Sequence, residues 1–250
     1  MSRTAIVVPC YNEGNRFDGP AFDLALGDIP DLELVFVNDG SDDDTLIVLR
    51  AFEEKHPGRV RVIDLERNLG KSHAVRAGML EALAGGATYC GYWDADLATP
   101  LDEIPRFVET LDGHPDLEVL FGSRVQLLGR IIERKASRHY LGRVGATAIS
   151  LVLGLAIYDT QCGAKLFRAS GDCKALFAEP FHSRWLFDVE IIARMMHARR
   201  GSGLPGPAEV IREIPLWEWH DVEGSKVGLL DFFRSMLELL HIRRLYLRVS

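Results

Sequence analysis

The chain has 250 residues, 47% hydrophobic and 26% charged, with a formal net charge of −7. That length and apolar fraction suit one domain with a sizeable core, and the acidic balance argues against a general nucleic-acid binder. Cys10, Cys90, Cys162 and Cys173 show no C-x-x-C spacing, so the expectation is reduced, buried thiols in a cytosolic protein rather than a zinc or thioredoxin-like site.

The β-branched run Thr4–Val8 predicts a buried first strand, entered almost at once with no signal peptide. Leu32–Val37, Arg59–Leu65, Thr88–Trp93 and Glu118–Gly122 read as four more strands. Helical patterns cover Asp42–His56, Lys71–Ala84 and Asp102–Leu111 between them. Strands alternating with helices predict an α/β fold: a mainly parallel sheet with helices on both faces. Ser41 to Asp44 and Thr99-Pro100 supply helix-start chemistry.

The second half is less regular. Helices are expected at Ser137–Leu155 and Leu186–Arg199, a strand at Ala208–Trp217, a loop to Lys226, and a last helix over Val227–Leu247. On that helix Asp231, Arg234, Ser235, Glu238 and His241 form one polar stripe. The longest apolar stretch, Val144 to Tyr158, falls short of the ~20 residues of a membrane span. Between Arg124 and Arg143, six basic residues (Arg124, Arg130, Arg134, Lys135, Arg138, Arg143) face one acid, Glu133. The stretch reads as an anion site, a membrane-facing patch or a solvated face.

Carboxylates cluster where apolar runs stop, and in an open α/β sheet ligands bind beyond the carboxyl ends of the strands. In an extended segment Asp94 and Asp96 project to one side, with small Ala95 between them. They could share Mg²⁺ or Mn²⁺ with phosphate oxygens, or simply end a strand and cap a helix. Asp39 could accept from a base or ribose, or form an Asx-turn. Glu13 faces the same crevice or solvent. Gly70-Lys71 at a helix start can approach a phosphate. Leu65 stands where a P-loop needs glycine, and Pro9-Cys10-Tyr11-Asn12 stands where a dinucleotide fold needs G-x-G, so both motifs are rejected.

Taken in order, Pro9–Glu13, Val37–Thr45, Asn68–Lys71 and Asp94–Asp96 resemble the family 2 glycosyltransferases of the GT-A fold. Asp94–Pro100, Gly122–Arg124, Asp159–Phe167, Arg184–Glu190 and Glu223–Lys226 look like the dolichyl-phosphate β-glucosyltransferase, or polyprenyl-phosphate hexosyltransferase, branch. Two departures stand out. Ala164 follows Gly163 where an aromatic is usual, and no membrane anchor like that of eukaryotic members is seen.

The resemblance implies an inverting, metal-dependent transferase over a single domain, 1–250. Its nucleotide-sugar half would span 1–100, its acceptor half 101–226, and an amphipathic helix 227–250. Pro9, Tyr11, Glu13, Asp39, Gly70, Lys71, Asp94 and Ala95 would hold the nucleotide sugar, and Ser225 and Lys226 would close over its diphosphate. Asp96 would bind Mg²⁺ or Mn²⁺, and would form the catalytic set with Asp188 and Glu190. Arg124 and Arg138 would hold the acceptor phosphate. UDP-glucose is the favoured donor and GDP-mannose stays open. The implied acceptor is a polyprenyl phosphate. The implied place is the cytoplasm, at the inner membrane surface. Two alternatives remain: a sugar-hydroxyl acceptor with Asp188 or Asp159 as base, and a nucleotide-sugar binder without turnover.

Overall fold

The computed structural model describes residues 2–133, 136–221 and 229–248, with the side chains of 134–141 and 222–233 outside that description. In chain order the first half gives β1 (Thr4–Cys10), α1 (Gly19–Asp28), β2 (Leu32–Asn38), α2 (Thr45–Lys55), β3 (Val60–Asp64), α3 (Lys71–Ala84), β4 (Tyr89–Tyr92), α4 (Glu103–Gly113) and β5 (Val119–Ser123). The second gives β6 (Ile131–Ile132), α5 (Ala136–Leu153), β7 (Lys165–Arg168), α6 (Gly171–Ala178), α7 (Phe187–Arg199), α8 (Pro207–Val210), β8 (Ile211–Pro215), β9 (Glu218–Trp219) and α9 (Leu229–Ile242). A π-helical turn, Arg243–Leu247, follows α9.

The main sheet runs β3-β2-β1-β4-β7-β5-β8. All its pairings are parallel except those of β7, which is antiparallel to β4 and β5. Both faces are covered, which is why β1 and β2 read as unbroken apolar runs. Ala5 and Val7 pack with α3, α5, α6, α7 and α9. Ile6 and Val8 pack on the other face with α1, α2 and α4. The chain steps from β1 out to β3, then returns past β1 to β4, so a crevice forms where the direction switches.

The expected parallel strands and flanking helices are present, with corrections. The predicted strand Ala208–Trp217 divides into the turn α8 and β8, which ends at Pro215. Within the expected helix start Ser41–Asp44, it is Asp43 that accepts from Thr45 N at the start of α2, at 3.0 Å. α4 begins at Glu103, past the expected Thr99-Pro100 cap. The last helix leaves α geometry at Arg243. The helices α1 and α6 and the strand β7 are additional. Asp18 caps α1 by accepting from Ala21 N at 3.0 Å. All four cysteines are free and buried, and burial pushes the Cys90 thiol up to about 12 and Cys162 up to about 11. No described helix is long and apolar enough to cross a membrane.

Candidate active site

A cavity of about 650 Å³ opens at the carboxyl ends of the strands. Lys71, Asp94 and Asp96 line it, as do Arg124, Asp159 and Asp188. Arg143, Arg184 and Arg234 add positive charge, while Ile149, Met236 and Leu239 add apolar wall from α5 and α9.

Asp94 and Asp96 sit just past β4 in a tight turn. Leu97, immediately after them, has φ 51°, a conformation that a bulky residue adopts only when its surroundings impose it. Asp96 Oδ1 accepts from Ala98 N at 3.1 Å. Lys71, at the start of α3, places Nζ 2.5 Å from Asp94 Oδ1. Burial alone would raise the Asp94 carboxyl. Lys71 overrides it, helped by Lys165 and Arg124, and holds the group below its ordinary value. Asp96 goes the other way: burial, then the charge of Asp94, push it up. A Cβ at Gly163 would lie 2.0 Å from Asp94 Oδ2, so only glycine there leaves room for that carboxylate.

Asp188 stands in the first turn of α7, nearly buried. Tyr92 donates its hydroxyl to it, and Lys165 Nζ lies 2.7 Å from Oδ1. Gln161 Nε2 approaches Oδ2 at 3.5 Å. Lys165 is fully buried, with Cys162 O 2.5 Å away and the rings of Phe121 and Tyr92 at 4.8 and 5.3 Å.

Arg124 is committed within the protein. Its Nε and Nη2 each donate to Asp159 at 2.7 Å, in the fork geometry that binds carboxylates most strongly. The Asp159 charge holds the guanidinium above its ordinary range against burial. Glu213 sets the Asp159 backbone by accepting from Tyr158 N and Asp159 N, both at 2.7 Å. Arg143 donates to Tyr158 O at 3.0 Å and lies 3.8 Å above the Tyr158 ring. Arg130 lies 3.2 Å over Trp217. The basic stretch is therefore dispersed over separate partners. Arg134 and Lys135 fall outside the described residues, as does the side chain of Arg138.

Pro9, Tyr11 and Glu13 lie at the end of β1, and Asp39 just past β2. Asp39 is buried, and its two oxygens accept from Leu69 N at 2.9 Å and Gly70 N at 2.8 Å. It thereby holds the loop that starts α3. Gly70 has φ +97°, which favours glycine. Ala95 is buried between the two aspartates. Glu190 departs from its expected place at the chemistry. It is absent from the cavity lining, fully buried, and accepts from Ser183 N at 2.8 Å and Arg194 Nη2 at 2.8 Å. Ser225 and Lys226 lie outside the described residues. Arg184 and Lys165 have no role assigned from the sequence, and Arg143 enters there only as the end of the basic stretch. Lys165 carries a weak signal, as a cation set directly before the apolar pair Leu166-Phe167 in β7.

The carboxylates fit a hard cation shared with a ligand. Among the described residues no group of three or more His, Cys, Asp or Glu could hold a metal by itself. Mg²⁺-type sites of nucleotide enzymes instead take one or two carboxylates plus substrate phosphates. One oxygen of Glu13 is buried without a protein hydrogen bond. Burial pushes the Glu13 carboxyl up, with Arg16 opposing and Asp96 adding. A cation held beside Asp96 would relieve that crowding.

The family model described as Glycosyl transferase family 2 matches residues 5–175. The chain is similar to dolichyl-phosphate beta-glucosyltransferase ALG5C of Trichomonas vaginalis, 30% identical over 253 residues, which cover 96% of this chain and 70% of that protein. It is likewise 30% identical over 265 residues to dolichyl-phosphate beta-glucosyltransferase of Saccharomyces cerevisiae, covering 97% of this chain and 75% of that one. A crystal structure of glucosyl-3-phosphoglycerate synthase from Mycobacterium tuberculosis with UDP matches with a TM-score of 0.68 at 17% identity, covering 97% of this chain and 80% of that chain. The same synthase with Mn²⁺ and UDP-glucose gives 0.66, again at 17% identity and covering 97% and 79%. At that identity the likeness is one of fold.

Proposed function

This chain belongs to glycosyl transferase family 2, and from that premise we propose that its cleft moves glucose from UDP-glucose to dolichyl phosphate or a similar polyprenyl phosphate, with inversion at the anomeric carbon. It is a glycosyltransferase of the GT-A fold. The names of its relatives support the acceptor, and the UDP-glucose complex of the mycobacterial synthase supports the donor.

One observation carries the phosphate acceptor. Both carboxylates that could serve as a base for a sugar hydroxyl are already paired, Asp159 with Arg124 and Asp188 with Lys165. A phosphate monoester is anionic near neutral pH and needs positioning more than deprotonation. Three further arginines line the cavity to receive it. An acceptor phosphate oxygen bonds to the anomeric carbon as the carbon–oxygen bond to the diphosphate breaks, and UDP departs with that electron pair.

The residues divide by role. Pro9, Tyr11, Glu13, Asp39 and Ala95 surround the nucleoside, Asp39 by fixing the Leu69–Gly70 loop. Lys71 and Asp94 stand at the ribose and diphosphate, where the Lys71 charge meets the departing anion. Asp96, with Glu13 near it, would hold Mg²⁺ or Mn²⁺, which supplies positive charge to the diphosphate. Ser225 and Lys226 would close over the diphosphate. Asp188 orients the sugar. Arg143 and Arg184 take the acceptor phosphate, and Arg138, which is on α5 like Arg143, is assigned to the same group by the family resemblance. Arg124 supports this end through Asp159, and Glu190 acts from beneath. The protein works in the cytoplasm at a membrane face.

Purified protein given UDP-glucose or GDP-mannose with Mn²⁺, and dolichyl phosphate or an oligosaccharide, tests the reading. Glucosyl phosphodiester should form from the first donor and the lipid. Transfer to the oligosaccharide alone would overturn the phosphate acceptor.

A further inference from the structure

We propose that Glu238 is a positioning residue for this cleft: from α9 it caps the start of α7 and sets where Arg184, Trp185 and Asp188 stand. The segment from His182 to Leu186 has no helix or strand of its own, yet Arg184, Trp185 and Leu186 line the cavity. Leu186 is the N-cap residue of α7 and offers no side-chain acceptor. The amides at a helix start need partners from elsewhere.

Two carboxylates supply them. Glu190 accepts from His182 N at 3.0 Å and Ser183 N at 2.8 Å. Glu238 accepts from Arg184 N at 3.3 Å, Trp185 N at 3.0 Å and Leu186 N at 3.2 Å. It also accepts the Ser183 hydroxyl, whose oxygen in turn takes Leu186 N at 2.7 Å. Every backbone N–H from His182 to Leu186 thus ends on a carboxylate. A negative charge is favoured at a helix N-terminus, so the site suits Glu238 electrostatically as well.

The two clamps differ in origin. Glu190 belongs to α7 itself, whereas Glu238 comes from α9, which gives Arg234, Ser235, Met236 and Leu239 to the same cavity. Glu238 therefore joins two walls of the cleft. The join reaches the nucleotide side too, because a Cβ on Gly70 would lie 2.9 Å from Arg184 Nε. Without the Glu238 carboxylate, Arg184 and Trp185 lose the bonds that fix their backbone, and the turn leading to Asp188 loosens.

The clamp is a statement about geometry, and its catalytic consequence rests on the transfer reaction proposed above. The test pairs two readouts on the full chain. Trp185 fluorescence, taken as the part that disappears in Trp185→Phe, is quenched with acrylamide. Transfer from UDP-glucose to dolichyl phosphate is followed alongside. In Glu238→Ala the Trp185 quenching constant should rise at least twofold and kcat/KM fall at least tenfold. Glu238→Gln, which keeps the volume and one acceptor oxygen, should recover part of both, and it carries the test should the alanine variant not fold. Unchanged Trp185 quenching in the folded variants overturns the clamp, whatever the rate does. Raised quenching in a protein whose wild type transfers to no lipid phosphate leaves the clamp standing and removes the proposed reaction instead.

Discussion

Lys165 and Asp188 face each other across 2.7 Å at the base of the cleft, the lysine fully buried and the aspartate nearly so. They come from different elements, β7 and α7, so the pair ties the one antiparallel strand of the main sheet to the helix that carries Asp188 into the cleft.

A buried charge stripped of its partner is costly. Lys165→Met should lower stability by about 3–5 kcal/mol, because the nearly buried Asp188 then loses its direct ion pair and keeps Tyr92 and Gln161 as hydrogen-bond partners, with the Lys71 charge farther off. Lys165→Met with Asp188→Asn should be less destabilised than the sum of the singles, since the two are in direct contact. Urea unfolding of all four proteins measures the coupling. Strict additivity would mean that the pair is not coupled.

Asp96→Asn should remove Mn²⁺- and Mg²⁺-supported transfer by at least about 100-fold, the usual scale for a group that places charge stabilisation at the leaving group. Folding should survive or improve slightly. Asp96 is pushed up by burial and by the charge of Asp94, so keeping it charged costs the fold something, and an uncharged amide relieves the crowding. A melting temperature that drops steeply would instead make Asp96 a structural residue.

Arg124 and Arg143 should separate cleanly. Arg124→Ala removes the charged fork on the buried Asp159 carboxylate and leaves it only its weaker contacts, such as the amides of residue 124 and Gln161, and should cost about 1.5–3 kcal/mol of stability. Arg143→Ala removes a group held by one backbone carbonyl and the Tyr158 ring. It should leave stability nearly unchanged, leave UDP affinity as it was, and raise the KM for polyprenyl phosphate tenfold or more. Calorimetric UDP titration beside the kinetics decides it. Weaker UDP binding in Arg143→Ala would place that arginine on the donor.

Much of this was legible in the chain. Unbroken apolar runs ending in Asn38-Asp39 and Asp94-Ala95-Asp96 gave parallel strands and the crevice at their ends, because a strand buried on both faces leaves polar residues only where it stops. β7 was hidden, since its four residues carry a lysine that reads as surface until Asp188 is known to face it. Glu190 was misplaced for a related reason. Asp188 and Glu190 are two apart, and on a helix that spacing turns the side chains to different faces, one toward the cleft and one into the core. The capture of Arg124 by Asp159 joins residues 35 apart in sequence and follows only from β5 lying beside the loop before β7.

Glu190 makes a pH prediction. Burial alone would raise its carboxyl, but the amides of Ser183 and His182, with Arg194, hold it below its ordinary value of 4.5. The unfolded chain therefore takes up the proton first as acid is added. The stability from this charge is complete above the ordinary value and is lost as the pH falls through the lower, folded value. Wild type should exceed Glu190→Gln by about 1.5–3 kcal/mol at pH 7. The gap should hold to about pH 5 and shrink below 4.5. Loss of transfer with no loss of stability would return Glu190 to the chemistry.

The last prediction concerns the lipid surface. A polyprenyl phosphate stays in its bilayer, so the protein must come to it. On α9 the side chains of Leu237 and Leu240 are exposed, at 68% and 49%, and Arg243 and Arg244 follow. On α5, which packs on α9, Val144 and Leu151 are exposed at 59% and 79%. Apolar side chains with basic neighbours are the pattern of a helix that lies in a membrane interface. Deleting α9 would not test this, because Leu239 and Ile242 are part of the core and Glu238 holds the start of α7. Leu237→Glu with Leu240→Glu is the suitable variant: both positions are exposed, so no cavity opens and no core contact is lost. Burying a leucine in apolar surroundings is worth about 1.5–3 kcal/mol, so the double variant should bind anionic liposomes at least tenfold more weakly. Wild-type flotation should need anionic lipid and weaken with salt, since the arginines act through screened charge. Transfer to a short, water-soluble polyprenyl phosphate should be unaffected by the two substitutions. If the intact protein never floats with anionic liposomes at low salt, the apolar faces of α5 and α9 serve some other contact, and the membrane reading is lost.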